Sequence, residues 1–161
     1  MQQQGTSGLI IDIRSNPGGL LNSVVDILDG ILPDGLIVYT ETKSGTRKEY
    51  KGSNSSELKD PLAVLVNEDS ASASEIFAGA VQDYGKGAII GTKTFGKGIV
   101  QTIQPLTDGS AVKYTIAKYF TPKGQDIHGN GVTPDIEVTL PDDAVSDVQY
   151  EAAVNYLKGK M

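Results

Sequence analysis

The chain has 161 residues, with 14 basic and 20 acidic side chains, a formal net charge of −6, 39% apolar and 6% aromatic residues. That length fits one domain with a core of its own, and an acidic chain repels phosphate backbones, which argues against a nucleic-acid partner. The lack of cysteine excludes disulfides and thiol chemistry, the single histidine, His128, leaves no structural zinc site, and no apolar run of about 18 residues is present to span a membrane.

In chain order, Met1 to Gln4 show neither the charged start nor the apolar centre of a signal peptide. Gly8 to Ile13 is a nearly continuous apolar run, the pattern of a strand covered on both faces. Asn16-Pro17-Gly18-Gly19 breaks it, and Leu20, Leu21, Val24, Val25, Ile27, Leu28 and Ile31 then recur at helical spacing until Pro33 and Gly35. Leu36 to Thr42 and Thr46 to Lys51 predict a hairpin around Ser44-Gly45, followed by a polar loop over 52–60. Pro61 to Val66 is a second buried-type strand. From Ser72 a helix is expected, with Ile76, Phe77, Ala80, Val81 and Tyr84 on one face and Gly85 at its end. Strands are expected at Ala88 to Gly91, Ile99 to Pro105, Ala111 to Phe120 and Ile136 to Leu140, with a turn at Thr107-Asp108-Gly109-Ser110. A terminal helix closes the chain over 147–158. Alternating strands and helices with added hairpins predict an α/β fold in a single domain over 1–161.

Three segments carry chemistry. In Ser70-Ala71-Ser72-Ala73-Ser74-Glu75, a serine stands at the mouth of a helix, where unpaired N–H groups and the helix dipole suit a developing oxyanion. The same Ser72 and Glu75 also fit a capping box, so one hydroxyl has two competing uses. Gly91 to Gly98 satisfies G-x-x-x-x-G-K, most of a phosphate-binding loop. Gly98, however, replaces the magnesium-binding hydroxyl, and the residues that follow alternate like a strand. Lys97, set between glycines and apolar neighbours, is instead a candidate general base or an ordinary turn lysine, and Gln101 lies four residues on. In Asp12 to Leu20, the glycines after a strand leave backbone N–H groups free for a second oxyanion donor or serve only as a tight turn. His128, in a polar glycine-rich loop with no orienting partner nearby, reads as a solvated residue.

Taken together, the segments Ile11 to Gly19, Val66 to Ile76, Gly91 to Gln101 and Thr121 to Ile136, in this order, resemble the carboxyl-terminal processing (tail-specific) proteases. The resemblance implies a ClpP/crotonase-like α/β core and a serine endopeptidase with a Ser/Lys dyad. It assigns Ser72 as nucleophile, Lys97 as base, Gln101 as supporting residue, and the N–H groups of Ala73 and Gly18 as oxyanion donors. No cofactor and no metal are implied; the partner is a polypeptide substrate selected near its C-terminus. The family carries a PDZ domain and a helical segment before the part matched here. The chain is therefore expected to be the catalytic core of a longer protein, weakly active or inactive alone, and open to self-association through exposed apolar surface. An extracytoplasmic location is also implied by the resemblance alone. Two other readings stand beside it: a non-catalytic scaffold of the same fold, and a crotonase-like acyl-CoA enzyme, which leaves Ser72 and Lys97 without a role.

Overall fold

The computed structural model describes residues 7–53, 57–141 and 143–161. Eleven elements follow in order: β1 (Leu9–Asp12), α1 (Leu21–Asp29), β2 (Gly35–Thr42), β3 (Arg47–Gly52), β4 (Leu62–Val66), α2 (Ala73–Tyr84), β5 (Gly87–Gly91), β6 (Ile99–Pro105), β7 (Ala111–Phe120), β8 (Ile136–Glu137) and α3 (Val148–Lys158). They form a parallel sheet ordered β1-β4-β5-β8 and an antiparallel sheet ordered β3-β2-β7-β6. The polar loop expected over 52–60 and the first four residues lie partly or wholly outside the described residues.

The parallel sheet is buried on both faces, which explains why β4 reads as an unbroken apolar run. Leu62, Val64 and Val66 pack with Ile89 against α1 and α2, whose Val24, Leu28, Ile76, Phe77 and Val81 complete that core. Ala63 and Leu65, on the opposite side of the pleat, pack with Ala88 and Ile90 against Ala153 and Leu157 of α3. The result is a helix–sheet–helix sandwich. The antiparallel sheet joins the larger core through Ile37, Val38 and Tyr119. Its outer hairpin leaves Ile103, Val112, Tyr114 and Ile116 exposed. No helix among the described residues is long and apolar enough to cross a membrane.

β1, β4 and β5 are consecutive parallel neighbours, so the segments that leave their C-terminal ends emerge side by side. Those segments are the Ser15–Gly18 turn, the Asn67–Ser72 turn and the Thr92–Gly98 loop. In open parallel sheets, sites collect along this edge. The last strand is shorter than the expected Ile136 to Leu140. After Val138 donates to the Gly91 carbonyl, β5 has ended and no ladder remains to extend it.

Candidate active site

The strand-to-helix junction is sharply bent. Ser72 has φ 57° and ψ −115°, a left-handed conformation that a side chain disfavours by about 1–3 kcal/mol. Such a serine, half-buried between a strand and a helix, has the geometry of a nucleophile elbow. The Ser72 N–H donates to Glu75 Oε2 at 2.9 Å, which secures the bend.

Glu75 does far more than close one turn. Its carboxylate is 0% exposed. It accepts the Thr94 hydroxyl and the Gly96 N–H at 2.6 Å on one oxygen, and the Lys97 N–H at 2.7 Å on the oxygen that also holds Ser72. One buried charge, compensated by four donors, therefore fixes the backbones of Ser72 and Lys97 relative to each other. The lysine loop is braced from behind by the segment containing His128. Thr94 and Val132 exchange bonds, and Gly129 donates to the Gly96 carbonyl. A Cβ on Gly98 would lie 2.4 Å from the His128 nitrogen, so the motif needs glycine there for close packing. After Gly98 comes strand β6 and no helix, which removes the phosphate-loop reading.

The Ser15–Gly18 turn is tied to the serine turn. Asn67 accepts the Ser15 N–H at 2.7 Å, and Ala71 N–H and Ser74 Oγ both donate to the Asn16 carbonyl at 3.0 Å. Gly18 has φ +98°, and a Cβ on it would lie 2.6 Å from the Ala71 oxygen and 2.7 Å from the Ala73 nitrogen. Only glycine brings this backbone so close to the helix mouth. The Ala73 N–H has no acceptor among the described residues. The Gly18 N–H is held by Asn16 Oδ1 at 2.9 Å, so an oxyanion there must displace or share that amide oxygen.

Ser72, Ala73, Lys97 and Gln101 line one cleft of about 330 Å³, together with Leu20, Ile99, Val100, Lys113 and Tyr119. Tyr119 is 2% exposed; its hydroxyl donates to the Lys97 carbonyl and lies against the Ser72 hydroxyl, and burial pushes its phenol well above the usual range. A second, apolar pocket of about 240 Å³ meets the cleft at Gly19, Leu20 and Ala73, with Ile11, Ile13, Val24, Ile27 and Phe77 in its walls. His128 is exposed and lines neither space. Glu75 and Tyr119 were not singled out for the site from sequence. The S-x-x-E spacing signalled only the local bond to Ser72, and nothing marked Tyr119 apart from other strand tyrosines.

A strained serine at a helix mouth, sharing a cleft with a lysine and with a backbone N–H beside it, fits the architecture of a serine-type hydrolase. The chain belongs to peptidase family S41, whose family model matches residues 1–138. It is 43% identical over 169 residues to a carboxyl-terminal-processing protease of Synechocystis sp., covering 99% of this chain and 39% of that protein. It is 46% identical over 142 residues to a probable CtpA-like serine protease of Staphylococcus epidermidis, covering 86% of this chain and 29% of that one. Among solved structures it matches a photosystem II D1 C-terminal processing protease at 44% identity and TM-score 0.80, over 88% of this chain and 38% of that chain. The tricorn protease matches at 25% identity and TM-score 0.67, over 96% of this chain and 15% of its own. The chain thus spans about two-fifths or less of the length of these relatives.

Proposed function

We propose that the chain is the catalytic core of a carboxyl-terminal processing endopeptidase that works through a Ser72/Lys97 dyad. The observation that carries this reading is the cleft shared by Ser72 and Lys97, with both backbones anchored on the buried Glu75 carboxylate.

In this mechanism the uncharged Lys97 amine takes the Ser72 proton as Oγ attacks the peptide carbonyl carbon. The oxyanion so formed is received by the N–H groups of Ala73 and Gly18, the latter released by Asn16. Collapse breaks the C–N bond, and the Lys97 ammonium returns its proton to the departing amine, leaving an ester on Ser72. The amine then deprotonates a water that attacks the ester carbonyl, and Ser72 departs with its proton restored. Gln101 orients the Lys97 amine with a neutral amide. The apolar pocket beside Gly19 accepts the side chain on the acyl side of the cleaved bond, so the preferred residue there is apolar.

Cleavage of an unfolded reporter polypeptide with an apolar C-terminus tests this. Ser72→Ala and Lys97→Ala each lose about a thousandfold or more in rate, whereas His128→Ala retains it. Loss of cleavage in His128→Ala with cleavage preserved in Lys97→Ala contradicts the dyad.

A further inference from the structure

Charge is distributed unevenly around the cleft. The chain has a net charge of −6, yet the walls of the cleft hold two lysines, Lys97 and Lys113, and no carboxylate. Lys51, Lys59, Lys86 and Lys118 each have a carboxylate partner. The side-chain nitrogens of Lys97 and Lys113 have neither an ion pair nor a hydrogen bond among the described residues, and with Lys97 uncharged in the mechanism, Lys113 is the cation of the cleft wall. The mechanism above employs Lys97 and leaves Lys113 without a task.

Lys113 has a defined place relative to the chemistry. In the β6–β7 ladder, Gln101 lies opposite Thr115 and Ile103 lies opposite Lys113. Directly opposed residues share a face and faces repeat every second residue, so Gln101 and Lys113 look out from the same side of the hairpin. Lys113 therefore stands about 7 Å beyond Gln101 along the strand, two peptide units farther from the reacting centre. The direction matters. The cleft continues past Lys97 along β6 to Gln101 and Lys113, which leaves room there for the segment on the departing side of the cleaved bond. That segment is the part of a polypeptide that ends in a free carboxylate. Leu20, Ile99 and Val100 give this part of the cleft apolar walls that suit a peptide.

We propose that Lys113 is a specificity-determining residue that receives a carboxylate of the departing segment, either its terminal carboxylate or an acidic side chain near it. This rests on the protease reading. A single exposed ammonium is a point charge and matches one carboxylate. Its contribution favours short tails, on the order of three to six residues beyond the cleaved bond, whose end reaches that stretch of β6.

The test uses the full chain carrying Ser72→Ala, which binds without turnover, and fluorescent apolar peptides followed by anisotropy. One peptide ends in a free acid, one in an amide, and one in an amide with a single aspartate in its last two positions. The free acid is expected to bind about twofold to fivefold more tightly than the amide, an advantage that shrinks in 1 M salt. Lys113→Met removes the advantage, and Lys113→Arg keeps it. Recovery of affinity by the aspartate peptide assigns the contact to a side-chain carboxylate; no recovery assigns it to the terminus. Equal affinity for acid and amide, a preference that survives Lys113→Met, or no binding of any peptide overturns the proposal. The protease reading is tested separately by labelling of an intact Ser72 with a serine-reactive phosphonate. Its failure appears as an unlabelled serine, not as equal peptide affinities.

Discussion

Ser72 sits in a left-handed backbone conformation, held there by the Glu75 carboxylate. Strain of this kind is worth keeping only where it positions a reactive group. Ser72→Gly relieves it and is expected to raise stability by about 1 kcal/mol in urea unfolding while removing the nucleophile. A fall in stability shows that the serine side chain contributes more than its backbone costs. The turn proposed to hold the oxyanion offers a matched pair. Gly18→Ala places a methyl group within 2.6 Å of the Ala71 oxygen, whereas a Cβ on Gly19 meets nothing within 4 Å. Phosphonate labelling of Ser72 is expected to disappear in Gly18→Ala and to persist in Gly19→Ala; equal labelling of the two removes Gly18 from the site. Gly18, Ser72, Ala73, Lys97 and Gln101 were all candidates from sequence, because each lies in a short motif. Glu75 was legible only as half of a cap. Its bonds to Thr94, Gly96 and Lys97 span about twenty residues, and local spacing carries no trace of them.

Between elements, the end of β1 that leads into the Ser15–Gly18 turn is linked to the terminal helix by charge. Arg14, just past β1, binds Asp12 at 2.6 Å and Asp147, the cap of α3, at 2.7 Å, with Gln149 accepting at 3.0 Å. The Arg14 guanidinium holds both carboxyls below the usual carboxylate range. A carboxyl whose folded value is depressed stabilises the fold above its unfolded value, near 3.9, and loses that contribution as pH falls through the folded value. Asp147→Asn is therefore expected to melt at a lower temperature than the parent at pH 7, with the gap closing below about pH 4. A gap that is constant with pH assigns α3 docking to packing alone. The helix was evident from the apolar residues after Asp147, but the capping role of Asp147 was not read from the sequence. The partner Arg14 was not, being more than a hundred residues away.

Over the whole molecule, function depends on strand order. The three motifs meet because β1, β4 and β5 are parallel neighbours whose C-terminal ends share one edge. Apolar runs revealed the strands and the α/β class, yet nothing local stated which strands would be adjacent or that the β6–β7 hairpin would close the cleft. The resemblance to a family supplied what periodicity could not. The central claim is that Lys97 activates Ser72 across that edge. It is tested most directly by mass spectrometry of the chain after treatment with a serine-reactive phosphonate. The account predicts one adduct, on Ser72, that is lost in Lys97→Ala and unchanged in His128→Ala. An adduct on another serine, or undiminished labelling of Ser72 in Lys97→Ala, contradicts it.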